Sequence, residues 1–317
     1  MKCVLVGNYG VGNIGDEALR EYFLSAFPEI SWTVVSARPE TAHEVPRLPL
    51  GIRSLFAPWL RTVKAIRHAD ALVFGGGSLF TDIESVWACV IWRSYAALAA
   101  WYRVPVILAF QGAGPWKTAL GLKLAKKTYQ EAAFVSVRDA ESLARLQLFG
   151  LTKPAVLTSD PAFAFFGSHP RNPIGKRLVI IPRTNSNPAF LEKVGEKLEE
   201  NFTDVRILLM QPSQAERRVG ERFRLLAGDK AEIVPLVSVS QFLHEVSAAS
   251  EVISERYHGA LAALAMGVPV EIVPQGEGDK LQALQAAVNH SQDSVQLFRD
   301  KVSVGENALK QALQGFC

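Results

Sequence analysis

Residues 71–112 read ALVFGGGSLFTDIESVWACVIWRSYAALAAWYRVPVILAFQG, two apolar runs, ALVFGGG (71–77) and VPVILAFQG (104–112), around a helical stretch from about Asp82 to Tyr102. Neither run alternates polar with apolar residues. A strand that is apolar on both faces is buried on both faces, which is the pattern of a parallel sheet covered by helices on each side. The same rhythm extends toward the N-terminus: CVLVG (3–7), then a helix from about Gly15; TVVSA (33–37), then a helix from Trp59 to His68. Toward the C-terminus it continues with a helix near Lys117 to Tyr129, FVSVRD (134–139), a helix from Ala140 to Phe149, and AVLTSDPAF (155–163).

The segment GSHPRNPIGK (167–176) then concentrates turn residues that interrupt both helix and ladder. A second strand–helix series follows, with strands RLVIIPR (177–183), VRILLMQP (205–212), AEIVPL (231–236), EVISERYHG (251–259) and PVEIVP (269–274). The expected fold is α/β, with two Rossmann-like parallel-sheet domains, 1–168 and 175–317, facing a cleft. A terminal helix over 294–314 is expected to cross back to the first domain.

Composition narrows the function classes. A chain of 317 residues exceeds what one compact core usually supports, and 49% hydrophobic with 21% charged residues is an ordinary globular balance. A net charge of +3, dispersed along the chain, gives no nucleic-acid footprint. Cys3, Cys89 and Cys317 show no CxxC spacing, so neither a zinc site nor a disulfide framework is expected, and the compartment should be reducing. The chain runs directly into a strand, so no secretory leader is expected, and the apolar region 86–113 is broken by Arg93 and Arg103, so no membrane span is expected either. The expected location is cytoplasmic. No pair of the six histidines has HExxH spacing, and no metal is expected.

The chemistry-bearing residues sit where strands end. GNYGVGNIGDEAL (7–19) contains Gly10-x-Gly12-x-x-Gly15, a dinucleotide fingerprint taken literally. However, Asp16 and Glu17 occupy the helix N-terminus where a pyrophosphate would lie, and two anions there repel a third. NADP binding, with Ser36 and Arg38 near a 2′-phosphate, stays open as an alternative, as does simple helix capping by the acids. Gly75-Gly76-Gly77-Ser78 lacks a P-loop lysine and reads as a binding loop or a sharp turn, and Gln111 ends the next strand. With Asn13, the residues Gly76, Gly77, Ser78 and Gln111 are the candidates for an acceptor side. Arg138 and Arg183 end further strands, and guanidinium groups recognise carboxylate and phosphate. In ERYHGALAALAMGVPV (255–270), Arg256 and His258 stand at the entry of a small-residue helix. The helix N-terminus disfavours imidazolium, whereas a nearby anion favours it, so an anionic substrate would protonate His258. Lys280 follows the loop QGEGD (275–279), which ends in Asp279. Trp87, Ile91, Ser94, Leu98 and Trp101 have helical spacing and read as core or interface. Lys123, Lys126 and Lys127 read as a solvated face or a peripheral membrane patch.

Five motifs in this order, GNYGVGNIGDEAL, FGGGSLFTD (74–82), SVRD (136–139), SDPAF (159–163) and ERYHGALAALAMGVPV, resemble the polysaccharide pyruvyl transferase family over nearly the whole chain. The resemblance implies a GT-B-like fold and phosphoenolpyruvate as co-substrate, with no cofactor. It implies as product a pyruvate ketal on a saccharide acceptor, free or lipid-linked, in cell-surface polysaccharide synthesis. By position it gives His258 and Asp16 as catalytic and Arg256, Arg138 and Lys280 as phosphoenolpyruvate-binding; Arg183 joins them on charge. Glu255 and Tyr257 depart from the family's usual methionine and leucine, and the loop before Lys280 is longer. A nucleotide-sugar glycosyltransferase on the same fold, or a non-catalytic sugar-binding relative, remains the alternative.

Overall fold

The computed structural model describes residues 1–49, 56, 58–211, 213–276, 280–289 and 294–316; Asp279, His290 and Cys317 lie outside them. The first half forms β1 (Lys2–Val6), α1 (Ile14–Ala26), β2 (Ser31–Ser36), β3 (Glu44–Pro46), α2 (Leu60–Arg67), β4 (Ala71–Gly77), α3 (Val86–Trp101), β5 (Val106–Gln111), α4 (Ala119–Glu131), β6 (Phe134–Val137), α5 (Ala140–Gln147) and β7 (Val156–Leu157). The second half forms α6 (Ala162–Gly167), β8 (Arg177–Ile181), α7 (Pro188–Leu198), β9 (Asp204–Leu209), α8 (Gln214–Ala227), β10 (Ala231–Pro235), α9 (Val239–Ser247), β11 (Glu251–Ser254), α10 (Tyr257–Ala265), β12 (Val270–Ile272), α11 (Lys280–Asn289) and α12 (Ser294–Gln314).

Among the described residues, one sheet has seven strands in the order β3-β2-β1-β4-β5-β6-β7, the other five in the order β10-β9-β8-β11-β12. Every ladder is parallel. Strands β4, β5 and β8 are buried along their whole length, as their apolar runs require, with the polar Gln111 at the end of β5 and Arg177 at the start of β8 buried as well. Short polar side chains start the helices: Ser85, Thr118, Asp139, Asn187, Ser213 and Ser238 each accept a backbone N–H of the first turn, and a cap of this kind stabilises a helix by about 1 kcal/mol. No helix among the described residues is long and apolar enough to cross a membrane.

The chain divides into two compact units, one of Met1–Val11, Leu19–Pro161 and Asp300–Cys317, the other of Gly12–Ala18 and Ala162–Arg299. This differs from a division into 1–168 and 175–317 in three places. Gly12–Ala18 counts with the second unit, where the Ile14 N–H donates to Met210 O at 3.0 Å. Asp300–Cys317 counts with the first, where Glu306 accepts from the Tyr22 hydroxyl at 2.8 Å and Gly305 packs on Phe110. Helix α6 counts with the second, where Phe163 stacks on Phe298 and Phe166 meets Phe242 edge-on.

Two elements depart from the pattern reading. AVLTSDPAF is a strand only at Val156–Leu157, because Pro161 has no N–H for a ladder and suits the start of α6. Strand β3 carries no apolar run; it is an edge strand of three residues that ends in Pro46 and pairs with β2.

Candidate active site

In each sheet the chain reverses its direction of travel at one place, between β1 and β4 in the first and between β8 and β11 in the second. In open parallel sheets, ligands bind beyond the carboxyl ends of the strands at such a switch point. In the second unit the residues just beyond these ends are Arg183, after β8, and Glu255 and Arg256, after β11.

Arg256 is the N-cap of α10, in extended conformation, and its N–H donates to Ser254 Oγ at 3.0 Å. Its guanidinium is held at two points: Nε donates to Pro182 O at 3.2 Å, and Nη2 is ion-paired to Glu216 Oε1. Glu216 is itself buried in the first turn of α8, and its second oxygen accepts the Gln211 N–H at 2.8 Å. Burial, and then the charge of Arg183, push the Arg256 guanidinium down to about 10, while Asp16 acts in the opposite direction. Arg256 therefore stays charged at neutral pH and lies within electrostatic reach of both residues.

Glu255 is fully buried and accepts two backbone N–H groups, from Arg183 at 3.3 Å and Asn187 at 3.2 Å. Ser186 Oγ accepts the Arg183 N–H as well, at 3.1 Å, so the turn that presents Arg183 is pinned from both sides. A methionine at position 255 could make neither bond. Glu216 and Glu255 are the two site residues that pattern reading misses. Ser213-x-x-Glu216 has capping-box spacing and reads as an ordinary helix start, and nothing local says that the carboxylate is turned inward onto an arginine.

His258 is the second residue of α10, its ring edge-on to Tyr257 at 5.4 Å. It lies directly on the first turn of α1: a Cβ built on Gly15 would fall 2.1 Å from His258 Nδ1, so only glycine fits. Asn13, expected on the acceptor side, caps this turn, its Oδ1 accepting the Gly15 N–H at 3.1 Å. Asp16, half-buried, follows in the same turn. The segment Gly12–Ala18 thus brings Asp16 together with Arg183, Arg256 and His258 in one unit.

The other candidates belong to the first unit, apart from Lys280, which belongs to the second. In the first unit, β4 ends in Gly76 and Gly77 at φ +77° and +78°, values open to glycine and costly for other residues. Gln111, expected to face an acceptor, is instead fully buried, with Nε2 within 3.1 Å of the carbonyl oxygens of Phe74, Gly76 and Ala109. It stitches the glycine turn from inside, because those carbonyls lie where the strand ladder breaks and need a donor. Arg138, expected to hold phosphoenolpyruvate, is committed to a buried ion pair: Nη1 donates to Asp160 at 2.6 Å and Nη2 to Ser78 Oγ at 3.2 Å. The Asp160 carboxylate is itself fully buried, and the Asp139 carboxylate lies 3.9 Å from Arg138 Nε. Lys280 is exposed at the first position of α11.

Comparison with known proteins fits this picture. The family model for polysaccharide pyruvyl transferase matches residues 13–271, a span that holds Asn13, Asp16, Arg183, Arg256 and His258 but ends before Lys280. No curated protein sequence matches. Among solved structures, UDP-N-acetylglucosamine 2-epimerases share the fold: one from Listeria monocytogenes (TM-score 0.59, 13% identity, 99% of this chain and 95% of that one) and one from Neisseria meningitidis, bound to UDP-GlcNAc (TM-score 0.57, 11% identity, 99% and 100%). Anabaena HepE in complex with UDP and glucose is similar too (TM-score 0.54, 11% identity, 100% and 95%). At these identities the likeness concerns the fold, which is GT-B-like. With most of its length matched by the family model, and with the family's motifs at the strand ends where a ligand would bind, the chain belongs to the polysaccharide pyruvyl transferase family.

Proposed function

We propose that this protein transfers the pyruvyl group of phosphoenolpyruvate to two hydroxyls of a saccharide acceptor, forming a ketal. The observation that carries this reading is the grouping of Asp16, Arg183, Arg256 and His258 at the switch point of the second sheet. Two guanidinium groups suit a small substrate that bears both carboxylate and phosphate. His258, as imidazolium, protonates the methylene carbon of phosphoenolpyruvate, and the positive charge that develops at the adjacent carbon is taken up as an oxocarbenium. A sugar hydroxyl adds to that carbon while Asp16 accepts its proton. The carbon–oxygen bond to phosphate then breaks, inorganic phosphate leaves, and the second hydroxyl adds and loses its proton to close the ketal. Placement of the anion by Arg256 and Arg183 lowers the barrier by roughly several kcal/mol.

Calorimetric titration with phosphoenolpyruvate, UDP, GDP and NADPH tests the donor, and phosphate release on adding candidate saccharides tests turnover. Saturable binding of phosphoenolpyruvate alone supports the proposal. Binding of UDP with none of phosphoenolpyruvate replaces it with nucleotide-sugar chemistry, the second reading, which the UDP-bound fold neighbours favour.

Two variants separate the roles. Asp16→Asn keeps the shape of the α1 turn and is expected to lower kcat roughly 100-fold, the usual scale for a general base; a change in KM alone would make Asp16 a binding or capping residue. Arg256→Lys keeps the charge but loses the fork that reaches Pro182 O and Glu216. Its KM for phosphoenolpyruvate is expected to rise about tenfold or more. An unchanged KM would take Arg256 off the donor.

A further inference from the structure

Helices α2, α3 and α4 of the first unit carry a surface that the site above does not use. Their inner sides enter one core on the same face of the sheet, where Ile66, Trp92, Tyr95 and Tyr129 pack with Phe74 and Leu108. Their outer sides are left in solvent, and the charge there is one-sided. Arg61, Lys64, Arg67, Lys123, Lys126 and Lys127 are exposed, while the three helices contain a single acid, Glu131. That acid is already engaged by Arg93 at 2.6 Å, with Lys127 farther off at 3.8 Å. The whole chain has a net charge of only +3, so this face is far more basic than the rest.

The same face exposes large apolar groups. Trp87 is 66% exposed and Trp101 81% exposed, both on α3. Their spacing of about four helical turns puts them on one side of that helix. The helical periodicity read in the sequence is real, but the buried stripe is Cys89, Trp92, Tyr95, Ala96 and Ala99, and the two tryptophans fall outside it. Leu60 (66% exposed) on α2 and Leu120 (51%) on α4 add aliphatic surface.

We propose that this face docks on an anionic lipid bilayer. Charge complementarity selects the partner: a surface of anionic headgroups attracts nearby lysines and arginines, and indole rings settle at the headgroup level while leucines reach the acyl boundary. A nucleic acid would use the basic residues but leave the leucines and indoles without a role. A second copy of this chain would set two basic faces against each other. Helix α3, with 16 residues, spans about 24 Å and falls short of the ~30 Å of a hydrocarbon core, so it lies on the bilayer and does not cross it.

Vesicle flotation with the full chain tests this independently of pyruvyl transfer. Wild type is expected to float with phosphatidylcholine vesicles containing phosphatidylglycerol, to stay behind with phosphatidylcholine alone, and to be released by salt. Lys123→Glu/Lys126→Glu/Lys127→Glu is expected to lower the partition coefficient by roughly 100-fold or more. Trp87→Ser/Trp101→Ser should also lower it and abolish the blue shift of tryptophan emission on vesicles. All five positions are exposed and the two variants share none of them, so circular dichroism identifies a misfolded variant and the other still decides. Equal binding to both vesicle types, no binding, or wild-type binding by both variants overturns the proposal. So does binding of a single-stranded oligonucleotide, lost in the lysine variant, without vesicle binding.

Discussion

Replacing His258 with alanine is expected to lower phosphate release from phosphoenolpyruvate and acceptor by roughly 1000-fold or more, with phosphoenolpyruvate still bound. A positioned proton donor is worth about 100- to 10,000-fold, and this ring is seated against the α1 turn, where Gly15 leaves room for it. Arg256 is held by Pro182 O and Glu216 and does not depend on the imidazole, so anion binding should survive. The fold should survive too, since the ring is half-buried and alanine suits a helix at that position. Stopped turnover with intact calorimetric binding and an unchanged circular dichroism spectrum is therefore the expected result. A His258→Ala protein with near-normal kcat would remove the acid from the proposed sequence of steps and point to a proton delivered by solvent.

The largest stability effect is expected in the other unit, for Asp160→Ala. Asp160 is fully buried and its carboxylate receives Arg138 Nη1 at 2.6 Å, with the arginine side chain 4% exposed. Removing one member of such a pair strands the other charge away from water, at a cost of about 3–5 kcal/mol. For a unit of this size that lowers Tm by roughly 10 °C. Arg138→Met in the same protein should recover a large part of the loss, because the double change removes the stranded charge as well as its partner. A single variant within 1 °C of wild type would show that water reaches Arg138 and that the pair contributes little. Restored stability without restored turnover in the double variant would give Arg138 a second role, at the substrate.

The sequence was most legible where physics is local. Unbroken Val/Ile/Leu runs predict parallel strands because such residues must be buried on both faces, and every long strand lies where its run lies. Short polar residues such as Ser85, Asn187 and Ser213 mark helix starts because their side chains accept the first free N–H groups. Asp16, Arg256 and His258 stand at the cap or in the first turn of a helix that follows a strand. Strand β3 escaped because a short edge strand needs no apolar run.

What the sequence by itself determined, then, is the fold class, which follows from residues a few positions apart whose spacing sets which face they share, and, through the resemblance of its five motifs, the family. Tertiary structure decided the partners. Arg256 takes Glu216, Arg138 takes Asp160, and the buried Glu255 takes the N–H of Arg183, 72 residues away. It also decided that Gly12–Ala18 joins the second unit, bringing Asp16 to Arg256. A charge or a hydrogen-bond donor withdrawn from water must find its complement wherever the chain brings one within about 3 Å, and that distance is a property of the packed elements, with no trace in the spacing along the chain.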